Sequence, residues 1–119
     1  MLSDDRPIFI QLAEWLEGGI ARGDFPEGSP IPSINELAAF HRINPATANK
    51  AVAQLTAKGL ITRQRGVGMF VNQGARAALV HEKTQDFAEE RIAPLVSEAK
   101  LIGLSLDELT ALTEKEWNA

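Results

Sequence analysis

NPATANKAVAQL, residues 44–55, has the period of a helix but an uncommon outer face. Ala48, Ala51, Val52 and Leu55 form one apolar stripe. The opposite side carries Thr47, Asn49, Lys50 and Gln54: a hydroxyl, two amides and one ammonium, with no acid. An ordinary solvated helix face mixes Glu with Lys. Hydrogen-bonding groups cleared of carboxylates suit a face that reads base edges beside phosphates. Asn44 is placed to cap this helix and Pro45 to take its first position. Gly59 closes it, just after Lys58 at the negative end of the helix dipole.

Outward from this helix, the flanks complete a pattern. On the N-terminal side, Ser33 and Glu36 make a capping-box signature, predicting a short helix over about 34–40. "HRI", residues 41–43, is a turn. Before it, GDFPEGSPIP (23–32) reads as a loop because of its two glycines and three prolines. Ile8, Leu12, Trp15, Leu16 and Ile20 then mark a first helix over about 7–22, with Pro7 at its first position and Gly23 as its stop. On the C-terminal side the period changes. LITRQRGVGMFV (60–71) carries β-formers around a glycine-bearing turn, predicting strands over 60–64 and 68–72. NQGAR (72–76) reads as a linker. From about Ala77 the helical period returns, with Phe87, Ala88, Ile92, Leu95, Val96, Ala99 and Ile102 in one stripe. Pro94 inside that stripe predicts a kink or a split. After Gly103, Ser105 and Glu108 repeat the capping box and open a last helix with Leu106, Leu109, Leu112 and Trp117.

Three helices followed by a hairpin is the winged helix-turn-helix plan, with the third helix presented to a major groove. The expected fold class is α+β, mainly α. A winged helix-turn-helix domain over residues 1–75 is followed by a short two-helix region over 76–119. The chain has 119 residues and no cysteine, which excludes disulfides and thiolate chemistry. His41 and His81 are its only histidines and belong to no ligand-spaced cluster, so no metal and no cofactor are expected. GVGMFV lacks the third glycine of a dinucleotide fingerprint, and no nucleophile–base arrangement stands out. An enzyme is not expected. No apolar run approaches a membrane span, and the N-terminus lacks a signal-peptide pattern, so a cytoplasmic protein is expected.

The net charge of −4 conceals a segregation. Between Leu37 and His81 there is no Asp or Glu, while Arg42, Lys50, Lys58, Arg63, Arg65 and Arg76 all fall there. From Glu82 onward nine acids face four bases. A basic middle beside an acidic tail concerns fields and partners rather than fold. Thr47, Asn49 and Lys50 are the groove candidates, with the small Ala46 at the approach and Asn44 at the helix start. Arg42, Arg63 and Arg65 are candidates for phosphates or a minor groove, and Gly66 and Gly68 allow close approach of the hairpin tip.

The segment IPSINELAAFHRINPATANKAVAQLTAKGLITRQRGVGMFV resembles the DNA-binding domain of GntR-family bacterial transcription regulators. The likeness runs from about residue 6 to 72. It is carried by Pro32, Ser33, Leu37 and Ala38, then Leu55, Gly59, Leu60 and Ile61, then Arg63 or Arg65, Gly66, Gly68, Phe70 and Val71. The resemblance implies contacts to double-stranded operator DNA from Ser33 and from the position of Asn35. That position holds arginine in the family; here an amide brings hydrogen bonds without charge. The short tail is similar to that of the YtrA-type subfamily. This likeness implies a homodimer joined through the C-terminal helices, with control of neighbouring transporter genes. The interface candidates are Phe87, Ile92, Leu95, Val96, Ile102, Leu109 and Leu112. A repressor acting on a palindromic operator is the expected function. The rival is a winged domain that binds a protein instead of DNA, because fold alone does not determine function.

Overall fold

The computed structural model describes residues 2–119. The chain forms two compact units, residues 1–81 and 82–119. In the first, α1 (Ile8–Arg22), α2 (Ile34–His41) and α3 (Pro45–Ala57) are followed by the strands β2 (Ile61–Gln64) and β3 (Gly68–Val71). The helix α4 (Ala75–Phe87) starts directly after the hairpin. Leu12, Leu16 and Ile20 of α1 pack with Leu37 of α2 and with Val52 and Leu55 of α3 in a fully buried core. Gly19 is required by that packing: a Cβ there would lie 2.4 Å from the Phe25 ring.

Ser33 caps α2 as expected. Its Oγ accepts from the Glu36 N–H at 3.1 Å, and Glu36 Oε1 accepts from the Ser33 N–H at 2.9 Å. Hydrogen bonding to Ser33, first to its backbone N–H and then to its side chain, holds the exposed Glu36 carboxyl below its ordinary pKa. Asn44 Oδ1 accepts from the Ala46 N–H at 2.8 Å, and Pro45 stands at the start of α3. Between the two helices Arg42 adopts the left-handed conformation, φ 55°. Glu17 of α1, 4% exposed, pairs with Lys58 Nζ at 2.9 Å and so ties the end of α3 to α1.

Three details depart from the sequence reading. The loop before α2 contains a short strand, β1 (Pro30–Ile31), paired antiparallel with Phe70 and Met69, so the sheet order is β1-β3-β2. As an edge strand, β1 tolerates proline, which has no N–H to offer a ladder. Pro7 stands one position ahead of α1, with ψ 130°. Residues 72–76 are not wholly a linker, since α4 begins at Ala75. Ala75 and Leu79 lie in the core of the first unit, which therefore extends past residue 75.

The second unit contains a π-helical turn at Ala88–Ile92, then α5 (Ala93–Leu101) and α6 (Leu106–Trp117). Pro94 is accommodated by the wider turn before it. Proline has no N–H to give and its ring crowds the preceding turn. The chain responds with a five-residue turn in which the Ala93 N–H reaches the Ala88 carbonyl. Ser105 and Glu108 form the second capping box, with bonds of 3.0 and 3.1 Å. Ala99 is the one buried residue of this unit among those described. A groove of about 490 Å³ between α5 and α6 is lined by Leu95, Ala99, Ile102, Leu104, Leu109 and Leu112.

Candidate nucleic-acid interface

The helix α3 buries Ala48, Ala51, Val52 and Leu55 and exposes Ala46, Asn49 and Lys50, while Thr47 and Gln54 are half-buried. Its apolar side thus faces α1 and α2, and its polar side is left outward. At the start of the helix the Asn44 carbonyl oxygen is committed to the cap, so its amide N–H groups remain for another partner. Ser33 and Asn35 are exposed on the first turn of α2. Arg42 is exposed in the turn between the helices.

β2 and β3 form the wing in register Ile61↔Val71 through Gln64↔Gly68. Its tip is Arg65–Val67, closed by a 2.9 Å bond from the Val67 N–H to the Gln64 carbonyl. Gly66 takes φ 76°, which an L side chain rarely adopts. The stem is braced by Asn72, which donates to the Gly59 carbonyl at 2.8 Å and accepts from the Thr62 hydroxyl at 2.6 Å. Arg63, Arg65 and Gly66 are exposed and Gly68 is half-buried. A groove of about 860 Å³ separates the wing from the start of α2, lined by Ser33, Glu36, Arg63, Arg65, Gly66 and Gly68 among others. Glu36 puts one carboxylate at its rim.

Three candidates have partners that sequence spacing does not reveal. Lys50 Nζ lies 4.0 Å from the centroid of the Phe9 ring of α1, a cation–π contact. Arg63 Nη2 donates to Asn49 Oδ1, which joins wing to α3. Val67, 70% exposed at the wing tip, is an apolar group that the sequence reading did not single out. Among the described residues, none of Arg42, Lys50, Arg63 and Arg65 is ion-paired, whereas Lys58 is paired with Glu17 and Arg76 donates to the Ala21 carbonyl at 2.8 Å. The cations of the turn, α3 and wing are therefore not neutralised from within.

In the second unit the apolar candidates lie at the surface: Phe87, Ile92, Leu95, Ile102 and Leu112 are exposed, and Val96 and Leu109 half-buried. Leu101, Leu106 and Trp117, each more than three-quarters exposed, extend this apolar surface. No group of three metal-ligating residues occurs among the described residues, and no helix among them is long and apolar enough to cross a membrane.

A helix-turn-helix whose second helix presents amides and a lysine, joined to a glycine-tipped basic wing, defines a winged-helix protein of the nucleic-acid-binding kind. Residues 10–71 match the family described as bacterial regulatory proteins, gntR family, and the chain belongs to that family. This is a family of regulators, not of enzymes. The chain is 30% identical over 103 residues to the HTH-type transcriptional repressor YtrA of Bacillus subtilis (strain 168), a match covering 87% of this chain and 78% of that protein. Its fold is shared with a transcriptional regulator from Oenococcus oeni, at TM-score 0.80 and 20% identity, over 98% of this chain and 96% of that one. The DNA-binding domain of AraR, solved in complex with operator ORX1, superposes at TM-score 0.55 with 31% identity, over 59% of this chain and 86% of that chain.

Proposed function

We propose that this protein is a homodimeric, cytoplasmic repressor that binds a palindromic operator and controls a neighbouring transporter operon. The observation that carries the DNA reading is the outward face of α3 with the unneutralised cations on and around it. Asn49 and Lys50, with Thr47 beside them, face away from the core, while Arg42, Arg63 and Arg65 flank them without acid partners. The AraR domain held on its operator supports the same use of this fold. Repression is supported by the relative YtrA, which is a repressor.

The dimer is supported by the second unit. A unit that exposes Phe87 at the end of α4, Ile102 after α5, and Leu106 and Trp117 of α6 leaves apolar surface that a second copy can cover. Two chains related by a two-fold axis match two half-sites about one DNA turn apart.

The test is a salt-titrated binding assay on DNA from upstream of the protein's own gene, with random-sequence DNA as control and the number of bound chains read in parallel. Preferential, salt-sensitive binding by two chains is expected. Binding that is indifferent to salt, with no preference over random DNA, refutes the DNA reading and favours a protein partner. Transcripts of the adjacent genes should rise when the gene is deleted; unchanged transcripts refute local repression.

A further inference from the structure

Asn49 and Arg63 are fourteen residues apart in sequence, on α3 and β2, yet the Arg63 guanidinium donates to Oδ1 of Asn49. Both side chains are exposed on the outward side. A guanidinium carries five donors and no acceptor, so only the carbonyl end of the Asn49 amide can face it. The contact therefore decides which way that amide points. Oδ1 turns to the wing, and Nδ2 with its two N–H groups turns away.

We infer that Asn49 and Arg63 act as one donor-rich unit that selects guanine, with Arg63 as the positioning residue that sets what Asn49 reads. This rests on the proposal that α3 enters the groove of an operator. An unaccompanied asparagine pairs best with adenine, accepting from N6 and donating to N7. Oδ1 keeps a second lone pair, so an adenine amino group can still reach it. That amino group would then crowd the guanidinium, two donors converging on one oxygen. Guanine offers O6 and N7, both acceptors. The Asn49 N–H groups and the remaining donors of Arg63 are all complementary to that edge. One geometry thus disfavours one purine and favours the other.

The experiment is selection of bound sequences from a duplex library with a randomised core of about 20 base pairs, enough for two half-sites one turn apart. The full chain is used as wild type, Asn49→Ala and Arg63→Ala. The base pair whose preference disappears in Asn49→Ala is the one Asn49 reads. Guanine is expected there for the wild type, preferred by about tenfold, and adenine for Arg63→Ala. Loss of a phosphate contact alone would weaken all sequences uniformly and would not exchange one base for another. Adenine in the wild type, or guanine retained in Arg63→Ala, overturns the pairing while leaving operator binding intact. Failure of the wild type to enrich any sequence overturns the operator proposal itself.

Discussion

The salt dependence of binding tests which cations meet phosphates. The acid-free stretch holds six bases. The structure sorts them: Lys58 is held by Glu17, and Arg76 turns back to the Ala21 carbonyl. Arg42, Lys50, Arg63 and Arg65 remain, and a cation in the groove, such as Arg63 beside Asn49, offsets the charge of flanking phosphates as one at the backbone does. Each phosphate neutralised lowers the log–log salt slope by about 0.9. Eight contacts across the proposed dimer give a slope of about −7, so affinity falls by about four powers of ten between 50 and 200 mM salt. If Lys58 and Arg76 also met phosphates, the slope would be about −11; for a single bound chain it would be about −4. Fluorescence anisotropy on one duplex, with the salt varied and the protein dimeric throughout, separates these values. Arg65→Ala should make the slope shallower by about 2, once for each chain. A wild-type slope near −11, or no change in Arg65→Ala, would refute the sorting of the cations by their partners in the fold.

Arg42→Gly should act in opposite directions on stability and on binding. Relief of the left-handed backbone at φ 55° stabilises the fold by about 1 kcal/mol, read as a raised urea midpoint, while the salt slope becomes shallower by about 2. Burial against Trp15 and Phe40, with ring centroids 4.7 and 4.8 Å away, lowers the pKa of His41 from 6.5. The unfolded chain then binds the proton more readily, so stability should fall as pH drops below 6.5 toward the folded value and level off beneath it. Denaturation against pH should show this slope in the wild type and lose that part of it in His41→Phe. Lys58→Met removes one charged partner of the buried Glu17 carboxylate and should cost about 2 kcal/mol in urea denaturation. Glu17→Gln with Lys58→Met should cost less than the two single changes together, whereas strict additivity would mean the pair is not coupled.

What was legible in the sequence was local. A capping box is written within four residues, so Ser33–Glu36 and Ser105–Glu108 could be read before any fold was known. The buried face of α3 follows from helical spacing alone. The strand β1 was not legible, because SPIP has the composition of a loop and becomes a strand only by meeting Phe70 and Met69, about forty residues away. Lys50 on Phe9 and Arg63 on Asn49 are likewise products of tertiary packing. Spacing picked out three of these four side chains as facing outward. It carried no information on which would touch each other, and that is where the proposed base preference arises. Pro94 announced a disturbance of the helix but not its form.

That form has a consequence of its own. The turn at Ala88–Ile92 holds one residue more than an α-helical turn. Deleting a single residue there would restore the regular spiral and leave Leu95, Ala99 and Ile102 close to their present direction, because the extra residue is already absorbed within the wide turn. Elsewhere in a helix such a deletion turns everything after it by about 100° and breaks up the apolar face. Here it is a spare residue, which a descendant of this chain could lose while its apolar stripe stays in line.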